Sequence, residues 1–107
     1  MSNVKGGLGG IVKQAQRMQQ QISRIQDGLA ETNVEASAGG GAVVAEVNGR
    51  QELVRLTLSK DAVDPEDTET LEALILAAVN LAMKNSQEMI QSEVNKVTGG
   101  LNIPGLF

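Results

Sequence analysis

The chain has 107 residues, a formal net charge of −4, no cysteine, no histidine and a single aromatic residue, Phe107. That composition excludes a disulfide framework and any thiolate or imidazole metal centre, and no Asp/Gly ligand loop of the calcium type is present, so no metal site is assigned. One small domain is expected, its core built from Leu, Ile, Val, Met and Ala; so small a core usually needs reinforcement, and oligomerisation is the means left.

Residues 1–10 carry Gly6, Gly7, Gly9 and Gly10 and are read as a flexible N-terminal arm holding Lys5. From Ile11, apolar residues recur at Ala15, Met18, Ile22, Ile25 and Leu29. The alternating steps of four and three give a heptad seam, expected either to lie on a sheet or to be shared with another helix. Gly28 weakens the last turn, so the helix should end between Asp27 and Glu31. Its outer face is rich in glutamine and carries Lys13, Arg17 and Arg24. No acidic residue occurs before Asp27, whereas six acids lie between Asp61 and Glu72. Such asymmetry predicts one basic and one acidic face.

Thr32 to Ser37 reads as a short strand and residues 38–41 as a glycine turn. Ala42 to Val47 and Gln51 to Leu58 are strand-like and flank Asn48-Gly49. That dipeptide predicts a two-residue type I′ hairpin, with Val47 opposite Arg50 and Val43 opposite Val54. One face then carries Val43, Ala45, Val47, Val54, Leu56 and Leu58. Val44 and Leu53 meet on the other face, placed to pack against a second subunit.

Asp64 and Pro65 read as the N-cap and first residue of a second helix, with acids in its first turn. Its apolar positions run from Leu71 to Val97, and Gly99-Gly100 stops it. About 33 residues would span roughly 50 Å, more than a compact domain of this size offers. The helix must therefore break or reach a partner, and Ile90 and Val94 in its second half are assigned with Val44 and Leu53 to a dimer interface. Residues 98–107 are expected as an irregular tail. The run Leu71 to Met83 is too short to span a bilayer and contains Glu72 and Asn80. No apolar leader precedes it, so the expected location is the cytoplasm, with no membrane partner.

Function follows by elimination and then by charge. Neither an imidazole nor a thiol is available, and no serine sits in a G-x-S-x-G elbow. Neither phosphate-loop pattern occurs. The acids of 61–72 are accounted for by a helix N-terminus. No enzyme, cofactor or small-molecule substrate is expected. The positive signal is the stripe Lys13, Arg17 and Arg24, joined by Lys5 and by Lys84 on the second helix. Such cations bind phosphates through charge and counterion release. With no aromatic but the terminal Phe107, the chain offers no platform for stacking unpaired bases, and the partner expected is double-stranded DNA.

Three stretches carry a family resemblance. Gly6 to Ile22 includes Lys-Gln-Ala-Gln-Arg-Met-Gln at Lys13 to Gln19; Gly41 to Gly49 is a glycine, a valine-rich strand and Asn-Gly; Gly99 to Gly105 holds Gly-Gly and Pro-Gly elements. Together, in this order, they resemble the YbaB/EbfC nucleoid-associated proteins across essentially the whole chain, read as one domain, 1–107. The chain departs from that pattern at Ala45 and Glu46, where lysine is common, and at Ser59 to Ala62. The resemblance implies a two-layer α+β protomer, helix–three-stranded antiparallel sheet–helix, in a tight homodimer. It also implies low-specificity binding to duplex DNA in the bacterial nucleoid without a cofactor. Lys13 matches the hallmark lysine and Arg17 its variable position; Arg24 rests on charge alone. The alternative is a dimeric adaptor or scaffold that holds a protein partner with its helical arms.

Overall fold

The computed structural model describes the backbone of residues 2–98 and the side chains of residues 8–97. The Lys5 side chain and the tail assigned to 98–107 lie outside them, apart from the backbone of Thr98. The order is helix α1 (Ser2–Leu29), strands β1 (Val34–Ala38), β2 (Val43–Val47) and β3 (Leu53–Leu58), a 3-10 turn (Lys60–Ala62) and helix α2 (Thr68–Thr98). The expected α+β architecture is present. The strands form one antiparallel sheet in the order β1-β2-β3.

Helix α2, not α1, covers the sheet, and it does so over β1 and β2. Val43, Ala45 and Val47 point inward from β2 and are fully buried with Ala78 and Ala82 of α2. Leu71, Leu74, Ile75, Val79 and Met83 pack around them. Small alanines on both surfaces let helix and sheet approach closely, but they leave a thin core. The largest fully buried side chains are Val43, Val47 and Ser86.

The β1–β2 turn uses glycine where the backbone requires it: Gly39, Gly40 and Gly41 have φ of 65°, 67° and 96°. The β2–β3 connection differs from the expected type I′ turn, which needs positive φ at both central residues. Here the positive φ falls on Gln51, at 65°, and not on Asn48 or Gly49. The Asn48 N–H donates to the Glu52 carbonyl at 3.0 Å, and the Gln51 N–H donates to the Asn48 carbonyl at 3.1 Å. The loop is therefore Gly49-Arg50-Gln51, a three-residue connection ending in a left-handed residue. The buried Asn48 side chain organises it, its Oδ1 accepting from Arg50 N–H at 2.9 Å and Glu52 N–H at 3.1 Å.

The longer loop shifts the register. Val43 pairs with Leu58, not Val54, and Val44 faces Thr57 while Leu53 faces Val47. Val44 and Leu53 are thus not opposite each other. A bulge beside Val47 leaves Val54 without a ladder partner.

The start of α2 is also later than Asp64-Pro65 suggests. Asp64 closes a turn, its Oδ1 accepting from Glu66 N–H at 2.9 Å. Asp67 is the N-cap, accepting from the Thr70 N–H at 3.3 Å and from the Thr70 hydroxyl at 2.6 Å. From Thr68 the helix runs unbroken for 31 residues, about 46 Å. Helix α1 begins at Ser2, so its backbone takes in the glycine-rich stretch read from sequence as an arm.

Across the sheet's outer face runs the row Glu35–Glu46–Arg55. A hydrogen bond to Glu46 and its negative charge push the Glu35 carboxyl above its ordinary value, a rise opposed by Arg55. An acid whose pKa is raised on folding opposes the fold above that pKa and ceases to do so once protonated. Glu35→Gln should therefore raise the melting temperature at pH 7 and change it little below the ordinary carboxylate range. An equal gain at both values would show that charge is not the cause.

A second prediction concerns Gly49. A Cβ there would overlap the Leu29 carbonyl oxygen and lie 2.6 Å from its carbon. Gly49→Ala should cost about 1–3 kcal/mol in denaturant unfolding, through backbone overpacking. Gly40→Ser, which meets open space but at φ of 67°, tests backbone strain alone.

Candidate nucleic-acid interface

The sheet and the two helices meet at one point. Gly49 lies against the Leu29 carbonyl at the end of α1. On the same turn, the buried Ser86 hydroxyl of α2 donates to the Asn48 carbonyl at 2.8 Å and accepts from Gln51 Nε2 at 2.9 Å. Leu29 and Ser86 are therefore at the same level, where α1 arrives and α2 departs. Arg50 adds an exposed ion pair to Glu31, 2.6 Å long.

Beyond this junction α2 continues for another twelve residues, about 18 Å. It runs antiparallel to α1, against which it packs. Met18, Ile22, Ile25 and Leu29 are half-buried on α1; Met89, Ile90, Glu93, Val94 and Val97 are half-buried on α2. Spacings of three and four on both sides describe a coiled-coil-like seam. The seam read from the sequence thus faces another helix and not the sheet. It also explains why α2 outruns the sheet without breaking. The molecule measures 77 × 26 × 16 Å with a radius of gyration of 20.7 Å, against about 13 Å for a compact domain of this length. The excess is the two-helix arm.

The arm carries the cationic stripe. At 100° per residue, Lys13, Arg17 and Arg24 fall within about 40° of one another, on a side well away from the seam. They span about 16 Å along the axis. All three are exposed. The other two arginines are engaged, Arg50 with Glu31 and Arg55 with Glu46 at 3.3 Å, and Lys96 holds Glu93 at 2.8 Å. The α1 cations make no ion pair among the described residues, so their charge is available to a ligand. Lys84 is exposed on α2, turned away from the face that packs on the sheet. Lys60 is exposed too but adjoins the acids of 61–72.

The residues assigned to a dimer interface are dispersed. Ile90 and Val94 belong to the half-buried face of α2, and Val44 is half-buried on the outer face of the sheet. Leu53 is 43% exposed and is joined on β3 by Val54, Leu56 and Leu58, all exposed. The sequence puts these last three on the face of Val43, Ala45 and Val47; Leu56 and Leu58 do lie there, opposite Ala45 and Val43, yet they are not covered. They lie on the strand farthest from the α2 packing on β1 and β2, at an open edge of the sheet. Single exposed leucines are ordinary, but four large apolar residues on one six-residue edge strand are not.

Among the described residues no group of three or more carboxylates is placed to hold a metal ion. Among the described residues no helix is long and apolar enough to cross a membrane.

Known proteins share this arrangement. The model of the YbaB/EbfC DNA-binding family matches residues 5–101. A nucleoid-associated protein of Thermoanaerobacter pseudethanolicus is 55% identical, the match covering 96% of this chain and 98% of that one. One from Caldanaerobacter subterraneus subsp. tengcongensis is 51% identical over the same shares. Among solved structures, uncharacterized protein HP0035 from Helicobacter pylori is similar, with a TM-score of 0.62 at 26% identity, over 73% of this chain and 90% of that one. With the family pattern spanning nearly the whole length and the fold in agreement, the chain belongs to the YbaB/EbfC DNA-binding family.

Proposed function

We propose that the protein binds double-stranded DNA as a homodimer with little sequence preference, through phosphate contacts made by Lys13, Arg17 and Arg24, with Lys84 and Lys5 as flanking cations. The carrying observation is the exposed α1 stripe, unpaired among the described residues on an arm that stands clear of the sheet. A stripe of lysine and arginine without aromatic neighbours suits backbone contacts, which position a protein on a duplex without reading its bases. The names of the relatives, nucleoid-associated proteins, support the same partner and a place in the cytoplasm on the nucleoid.

The dimer is proposed to form on β3. Its exposed Leu53, Val54, Leu56 and Leu58 and its open edge would be covered by the same strand of a second copy, a self-complementary arrangement. Burying them there would supply the large apolar side chains that the alanine-rich core of one protomer lacks.

Each proposal has its own test. Fluorescent duplex DNA titrated at 50 and 200 mM salt should bind about a thousandfold more weakly at the higher salt, since six neutralised phosphates per dimer give a log–log slope of about −5. Lys13→Glu, Arg17→Glu and Arg24→Glu combined should abolish binding while leaving the circular dichroism unchanged. Salt-independent binding, or full binding by the triple variant, would contradict the stripe; no binding at 50 mM salt would favour a protein-binding adaptor. For the dimer, sedimentation should give twice the chain mass, and Leu56→Asp should weaken association at least about thirtyfold. A folded Leu56→Asp variant that dimerises normally would place the interface elsewhere.

A further inference from the structure

The α1 seam is longer than its partner. Leu29 and Ser86 touch the same turn, so Thr98, twelve residues past Ser86, stands level with Arg17, twelve residues before Leu29. Burial changes at that level. Met18 is half-buried, whereas Ala15, Ile11 and Leu8, which continue the seam in steps of three and four, are exposed. Ile11 is 66% and Leu8 59% exposed, and Val12 beside them is 52% exposed. Cβ atoms added at Gly9 or Gly10 would meet nothing within 4 Å among the described residues. Glycine-rich sequence is a weak helix former, and short helical stretches gain most of their stability by packing an apolar face. An uncovered apolar stripe here therefore calls for an occupant.

The chain provides one beside it. Residues 99–107, outside the described residues, follow directly from Thr98 at the point where the covered seam ends. They read Gly-Gly-Leu-Asn-Ile-Pro-Gly-Leu-Phe, with four large apolar side chains and no charged one. Nine residues reach up to about 30 Å when extended, and Leu8 to Ala15 covers only about 10 Å of helix. A second copy of α1 suits the stripe less well, because residues 1–26 hold four basic residues and no acid and would repel their like.

We propose that the C-terminal segment Leu101–Phe107 docks in its own chain on the α1 stripe Leu8, Ile11 and Ala15, extending the cover that α2 gives to Met18 and beyond. The stripe lies away from Lys13 and Arg17, so docking leaves both cations free. It holds in shape the helical turns that carry them.

The absence of native cysteine makes the test clean. In full-length protein carrying Ala15→Cys and Ile103→Cys, mild oxidation should give a crosslinked species of single-chain mass, while Lys84→Cys with Ile103→Cys should not. In parallel, a stop codon after Thr98 should speed amide hydrogen exchange at residues 8–15 at least about tenfold and leave β2 unchanged. A crosslink only of double mass would move the tail onto a second copy and overturn the assignment. No crosslink above the Lys84 control, or identical exchange with and without the tail, would also overturn it.

Discussion

Everything in this molecule is hung on the turn from Asn48 to Glu52. Asn48 is buried, caps the loop with its own carboxamide and offers its carbonyl to Ser86 on α2. One residue further on, Gly49 lets the end of α1 come against the loop backbone. A hydrogen bond from a buried hydroxyl and a contact that admits no side chain thus fix both helices at the same level. Without the Ser86 hydroxyl the Asn48 carbonyl would keep the Gln51 N–H as donor, so the loss would cost about 0.5–1.5 kcal/mol, the net worth of one hydrogen bond. The arm's direction depends on that junction, since beyond it, among the described residues, the two helices rest on each other and not on the sheet.

The division of labour between the helices follows from their side chains. The first half of α2 has alanines at the centre of its inward face, which let it sit close on β1 and β2. Its second half has Met89, Ile90, Val94 and Val97, larger and spaced for a helix partner. α1 has one apolar seam and, on the side away from it, a polar surface that carries no acid before Asp27 in the last turn. Charge is segregated accordingly, with the cations of α1 on the arm and the acids of 61–72 around the entry to α2 at the other end of the sheet.

Much of this was legible in the sequence, and what was not has identifiable causes. The α1 seam, the three strands, the glycine turn and the long second helix follow from periodicity and from Gly and Pro positions. The α1 end fell where Gly28 suggested. Asn48-Gly49 misled because an Asn-Gly pair has two uses. Here asparagine caps a three-residue loop, and glycine is needed for a close approach to α1, a tertiary contact that local reading does not reveal. The resulting shift of register is even, so Leu56 and Leu58 keep the face read for them, opposite Ala45 and Val43, and only Val54 drops out at the bulge. Which strands a helix covers is likewise not written in periodicity, so β3 could not be recognised as the uncovered edge. Pro65 signalled a helix start but serves a turn one step earlier, with Asp67 taking the cap. The stripe Lys13, Arg17 and Arg24 is visible from spacing alone; that it makes no ion pair among the described residues is seen only once Glu31, Glu46 and Glu93 are placed against Arg50, Arg55 and Lys96.

The claim that the arm's outer α1 face is what meets DNA is tested most directly by backbone amide spectra of the isotopically labelled protein, recorded during titration with a duplex of random sequence. The account predicts that signals from residues 12–25 shift or broaden first, strongest at Lys13, Arg17 and Arg24, while those of β1 and the acidic segment 61–72 stay in place. Perturbations centred on the sheet or on α2, with residues 12–25 unmoved, would contradict it.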